Sequence, residues 1–185
     1  MSSPGIAERL QRLRESIDES AQLAGRDDAV SLVAVTKTVD ADRIKQAFDA
    51  GQRLFGENRV QEAAGKIEAL RHELPGAEWH LIGHLQSNKA KSAVALFSLI
   101  ESMDSQRIAS ELDARAAAAG VQLPVLLEVN VAGEGSKSGF SVDELERDMS
   151  SLLEFPQLLV AGLMTIAPLA DDPEEVRWVF RRLRE

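Results

Sequence analysis

Six short apolar runs, at residues 31–37, 53–58, 79–83, 99–103, 124–131 and 158–166, alternate with longer stretches of helical periodicity. No other feature narrows the fold as much. A short, nearly continuous apolar run reads as a strand buried on both faces, and such strands belong to parallel sheets covered by helices. A helix over residues 4 to 24 precedes the first run. Ile6, Leu10, Leu13, Ile17 and Ala24 share one face, Pro4 suits the first turn and Gly25 the stop. Asp40 caps a second helix carrying Ile44, Ala47 and Phe48, which ends at Gly51. Ser87 or Asn88 caps the helix after the third run, and Ser105 opens an alanine-rich helix that stops at Gly120. Ser141 and Glu144 form a capping box, with Phe140 and Leu145 as its hydrophobic staple. Asp172-Pro173 starts a last helix with Val176, Val179, Phe180 and Leu183 on one side.

Alternation at this spacing defines an α/β fold, either an open doubly wound sheet or a (β/α)8 barrel. The last helix stops at Arg184-Glu185 without a capping glycine. The expectation is one barrel domain over residues 1–185, truncated after six βα units. At roughly 20 to 25 residues per unit, about 45 residues of a compact barrel would be absent.

Composition removes several function classes. With 44% hydrophobic and 28% charged residues, the chain is globular rather than disordered. A net charge of -9 argues against nucleic acid or an anionic membrane as partner. The absence of cysteine excludes disulfides, thiol catalysis and cysteine metal sites. No apolar run reaches membrane-spanning length and the N-terminus lacks a signal-peptide core, so the cytoplasm is the expected location.

The chemistry-bearing residues gather at strand ends. Lys37 closes the first run, at the carboxyl edge where α/β folds build their sites. A lysine at a half-dry strand end loses its proton more easily, and a neutral amine attacks an aldehyde. A solvated lysine that merely ends a strand is the plainer alternative. Asn58 follows the second run, where it either donates to a ligand's phenolate or carbonyl oxygen or caps the next helix. His80 and His84 are separated by Gly83 and a change from strand to loop, so they are no helical metal pair, and no metal is expected. The stretch from His84 to Lys89 reads as a polar loop at the same mouth. Residues 133–139 form a glycine-rich loop between strand and helix. It could cradle a phosphate, but it matches neither a P-loop nor GxGxxG, and a flexible loop fits as well. Lys137 brings a second amine to the mouth. Met164, near the end of the sixth run, packs inside the barrel or against a flat ligand.

Val33-Ala34-Val35-Thr36-Lys37, Phe55-Gly56-Glu57-Asn58 with Val60-Gln61-Glu62, Trp79-His80-Leu81-Ile82-Gly83 with Leu85-Gln86-Ser87-Asn88-Lys89, Lys137-Ser138-Gly139 and Gly162-Leu163-Met164 occur in this order. In order and spacing the chain resembles the pyridoxal 5'-phosphate homeostasis protein family, also called proline synthase co-transcribed proteins. The resemblance runs over essentially the whole chain. It implies an alanine-racemase-like barrel whose strand-one lysine, here Lys37, holds pyridoxal phosphate as a Schiff base. It implies a carrier that buffers the aldehyde and delivers it to apoenzymes, not an enzyme. The cofactor contacts it suggests are Lys37, Asn58, Met164, Val35, His84 and, as a secondary lysine, Lys137. Family members continue past the sixth strand into a segment that supplies the phosphate cradle, which these residues do not include. Two alternatives share the barrel: an amino-acid racemase using the same cofactor, and a Schiff-base enzyme acting on a phosphorylated substrate. Racemisation needs a base on each face of the adduct. In alanine racemases, which the barrel resembles, one base is a tyrosine from a second domain, and this sequence has no tyrosine.

Overall fold

The structure is a computed structural model that describes residues 5–135 and 137–185. Pro4 lies outside the described residues. Helix α1 (Ile6–Leu23) leads. Five βα units follow: β1 (Ala34–Val35) and α2 (Ala41–Asp49), β2 (Leu54–Glu57) and α3 (Val60–Leu70), β3 (Glu78–Leu81) and α4 (Ala90–Leu96), β4 (Leu99–Met103) and α5 (Gln106–Ala119), β5 (Leu123–Glu128) and α6 (Val142–Leu152). Strand β6 (Leu158–Met164) and α7 (Arg177–Arg184) complete the order.

The six strands are parallel and lie in the order β1-β2-β3-β4-β5-β6. A doubly wound sheet reverses its order at a switch point. This one never reverses, so it is an arc of a barrel, and β1 and β6 are not paired with each other. The helix-facing side carries the core. Phe55, Leu81, Ile100, Val125 and Leu127 are fully buried there, and the Phe55 and Trp79 rings sit 5.2 Å apart. Each such side chain contributes about 1.5–3 kcal/mol by leaving water. Register puts Val35 beside Gly56, Gly56 beside His80, and Glu128 beside Met164, so these residues share the concave side.

Local signals formed as their chemistry dictates. Asp40 accepts from the Arg43 amide, Ser105 accepts from Ile108, and the Ser141–Glu144 capping box is complete. Gly120 closes α5 in the left-handed conformation. Phe140 and Leu145 are both buried. Three readings need correction. The first strand spans only Ala34–Val35, not residues 31–37, and Val35 is 50% exposed rather than buried on both faces. Among the described residues only β2 pairs with it, so the ladder is short. Neither Ser87 nor Asn88 caps a helix. Both fall in a 3₁₀ turn (Ser87–Lys89) without a side-chain cap bond, and the Ser87 hydroxyl accepts from Arg107 instead. In the last helical segment Asp172 caps a 3₁₀ turn (Pro173–Val176) before α7; Val179 is buried but Phe180 is 53% exposed.

Candidate functional site

The carboxyl ends of the strands form one mouth. A cavity of about 190 Å³ opens there between Asn58, Gly83, His84, Glu128, Lys137 and Ser138. A wider cavity of about 780 Å³ adjoins it through Asn58, Gly83 and His84 and extends over Arg59, Gln86 and Lys89. Gly83 permits the junction. A Cβ there would lie 2.5 Å from the Asn58 carbonyl oxygen and 2.8 Å from its Cα, so only glycine lets β3's continuation touch the Asn58 backbone.

Asn58 does not cap α3, whose N-cap position is Arg59 and lacks a side-chain bond. The Asn58 Oδ1 is instead buried with no partner. A buried polar atom left unpaired costs stability, and here it belongs to a residue that lines both cavities. Turned over, the same amide presents its NH₂ to an oxygen. His84 Nδ1 lies 2.6 Å from Asp104 Oδ2, and Ser138 Oγ is 3.4 Å from the same nitrogen. A carboxylate only accepts, so the His84 proton sits on Nδ1. Deeper in the arc, His80 Nδ1 meets Glu101 Oε1 at 2.7 Å in the same way. Among the described residues no group of three or more His, Cys, Asp or Glu is arranged to hold a metal.

Lys37 lies two residues past β1, in an exposed turn rather than a half-dry strand end. Continuing the β1–β2 register sets it level with Asn58. The Val39 amide donates to the Thr36 carbonyl at 3.0 Å, closing the turn, and Thr38 takes a left-handed φ of 60°. That conformation is costly for a β-branched residue and marks a constrained turn. Beneath it lies a polar cluster that the sequence did not reveal. Glu57, fully buried, accepts from Thr36 Oγ1 at 2.7 Å and from Lys66 Nζ at 2.8 Å. Lys66 also donates to the Thr36 carbonyl at 2.5 Å and to Glu62 at 2.7 Å, and Glu62 accepts from the Thr38 amide at 2.7 Å. Burial acts to lower the Lys66 pKa, but the hydrogen bonds it donates to Glu57 and Glu62 outweigh this and hold the ammonium above its usual range. The Lys66 and Thr38 bonds hold Glu62 below the usual carboxylate range. Its stabilising share is therefore present above that range and lost as pH falls through the lowered value.

The other expected residues sit as follows. Lys137 lines the smaller cavity, but its Nζ donates to the Ile166 carbonyl at 3.2 Å and pairs with Glu134 at 2.5 Å. The glycine-rich loop folds on itself. Asn130 Nδ2 donates to the Glu134 carbonyl, Asn130 Oδ1 accepts from the Glu134 amide, and the Gly133 and Lys137 amides donate within the loop. Those amides are not free for a phosphate. Met164 ends β6, and its carbonyl accepts from the Val129 amide. Val35 borders a groove between α1 and α2 together with Leu10 and Ile44.

Glu128 was missed as well. It is 6% exposed, and burial, reinforced by the Asp104 charge, pushes its carboxyl above the usual range. A raised folded-state pKa means that the ionised form penalises the fold at neutral pH, and that the penalty disappears below the unfolded value of about 4.3. Glu128→Gln should therefore melt higher than the parent at pH 7, and the two should converge in acid. Thermal melts across pH decide this; a Gln variant that melts lower at pH 7 would show that the carboxylate is held by a partner.

A parallel barrel arc with polar side chains gathered at the carboxyl ends of its strands narrows the class, and sequence comparison identifies it. The family model for "Alanine racemase, N-terminal domain" matches residues 9–185. The chain belongs to that family and, within it, to the pyridoxal phosphate homeostasis proteins. The protein of that name from Aquifex aeolicus is 41% identical over 179 residues, covering 96% of this chain and 78% of the relative. Its Escherichia coli K12 counterpart is 40% identical, covering 93% and 74%. PipY of Synechococcus elongatus, solved with PLP bound, superposes with a TM-score of 0.84 at 39% identity, covering 97% of this chain and 78% of PipY. An alanine racemase from Clostridium difficile shares the fold at a TM-score of 0.67 and 13% identity, covering 95% of this chain and 45% of the racemase.

Proposed function

We propose that this chain binds pyridoxal phosphate as a Schiff base on Lys37 and serves as a cytoplasmic carrier that delivers the cofactor to apoenzymes. The observation that carries the reading is the Lys37 turn, in a chain 39% identical to a PLP-bound relative. Of the four amines around the mouth, Lys66 and Lys137 are spent on carbonyls and carboxylates, whereas Lys37 and Lys89 make no hydrogen bond or ion pair among the described residues, and of these two it is Lys37 that follows the first strand, level with Asn58. The residues present fit the cofactor. Lys37 would supply the amine for a C=N bond to the cofactor's aldehyde carbon, the carbonyl oxygen leaving as water. Asn58, whose buried Oδ1 has no partner as placed, would turn its NH₂ toward a ring oxygen. Reduction with borohydride followed by peptide mapping tests this reading; an adduct confined to another lysine would refute it.

The same geometry supports holding rather than turnover. A racemase needs a second base facing the first across the substrate adduct. Of the candidates at the mouth, Lys137 is engaged with Glu134, and His84, its Nδ1–H held by Asp104, is the residue whose other ring nitrogen could act as that base. The cofactor-loaded chain, given L-alanine in heavy water, should exchange the α-proton slowly without inversion. Formation of the D-isomer at an ordinary enzymatic rate, on the order of 1 per second or faster, would make it a racemase.

A further inference from the structure

An ammonium carries three protons, and Lys66 spends one on each of three acceptors: the Thr36 carbonyl at 2.5 Å, Glu57 at 2.8 Å and Glu62 at 2.7 Å. Every acceptor bears on the Lys37 turn. The Thr36 carbonyl is the one that closes it, Glu57 also takes the Thr36 hydroxyl, and Glu62 also takes the Thr38 amide. One half-buried cation thus grips the residues on both sides of Lys37. We infer that Lys66 is the positioning residue for the Lys37 amine, and that the same three bonds bar Lys66 from taking the aldehyde itself. This rests on the reading of Lys37 as the Schiff-base amine.

The physical case has two parts. Attack on an aldehyde needs a nitrogen lone pair. Lys66 could expose one only by giving up a proton while it faces two carboxylates in a site where its side chain is 16% exposed. Lys37 has no such bonds. Second, the left-handed Thr38 is held by its amide's bond to Glu62, and Glu62 is anchored by Lys66. Without that anchor the turn is free to relax, and the Lys37 amine loses its place level with Asn58.

The test compares the native chain with Glu57→Gln/Lys66→Met, which removes the cation together with its buried partner and leaves only Glu62, 30% exposed, without its cation. Glu62→Met is the second variant; it removes the acceptor of the Thr38 amide and keeps the Glu57–Lys66 pair, in case the first does not fold. Each is mixed with limiting pyridoxal phosphate, reduced with borohydride and mapped by peptide mass. Thr38 amide exchange is measured separately without cofactor. We expect melting within a few degrees of the native chain for any variant used. The Lys37 adduct should fall by roughly tenfold or more, and Thr38 exchange should accelerate by a similar factor. A folded variant with native Lys37 yield and native Thr38 exchange would overturn the inference, as would a native-chain adduct on Lys66. If the native chain carries no adduct on Lys37 at all, the carrier reading fails, and Thr38 exchange still decides whether Lys66 holds the turn.

Discussion

Lys37→Ala should abolish the borohydride-fixed adduct, while Lys137→Ala should leave most of it. The asymmetry follows from what each amine already does. Lys137 must break its bonds to Glu134 and the Ile166 carbonyl before it can react, and Lys66 must break three. Lys37 breaks none among the described residues. Because Lys37 is exposed, its replacement removes little packing, so the variant should melt like the parent. That separates loss of the amine from loss of the fold. A normal adduct yield in Lys37→Ala would transfer the role to another lysine, with Lys137 the first to examine.

The second large effect belongs to a glycine. Gly83→Ala should destabilise the chain by about 1–3 kcal/mol, the cost of forcing extra atoms into close-packed structure, and should weaken cofactor retention. The added methyl would meet the Asn58 backbone at 2.5 to 3.0 Å, and backbone cannot swing aside. Gly56→Ala should be milder, because its nearest neighbours, Ile82 Cδ1 at 3.0 Å and Val33 Cγ1 at 3.1 Å, are side-chain atoms that can shift. Gly65, inside α3, has nothing within 4 Å. Gly65→Ala should stabilise by about 0.5–1 kcal/mol through lower unfolded-state entropy and better helix propensity. Denaturant melts of the three variants check the ranking. Gly83→Ala at parental stability with unchanged cofactor retention would mean that the Asn58–Gly83 contact does not shape the mouth.

What could be read from the sequence was local. The Ser141–Glu144 box, the Asp40 and Ser105 caps and the Gly120 stop each depend on residues within one turn of one another. The alternation of runs and helices gave α/β, but the choice between open sheet and barrel needed the strand order, which is a property of pairing. The length of β1 was overestimated because an apolar run does not announce how many neighbours it will have. The glycine-rich loop looked free because the side chain that closes it, Asn130, lies outside the glycine cluster. Lys66 was invisible for a similar reason: its i,i+4 partner Glu62 suggests an ordinary helix-surface pair, and only the fold brings Thr36 and Glu57 to it. One sign was available. Glu57 and Glu128 are carboxylates closing otherwise apolar runs, and an acid at the end of a buried strand needs either a partner or a proton.

The strand order has a consequence for how the molecule is made. Each strand pairs with the strand synthesised just before it, so every pairing closes a similarly short loop, and loop-closure entropy grows only slowly with length. The parts that hold Lys37 are Thr36, Thr38, Glu57, Glu62 and Lys66, all encoded before the end of α3. Once β1, β2 and α3 have left the ribosome, every bond that fixes that turn can form, ahead of β3 to β6. The Lys37 turn thus depends on nothing made after α3, whereas Glu128, Lys137 and Met164 are encoded later.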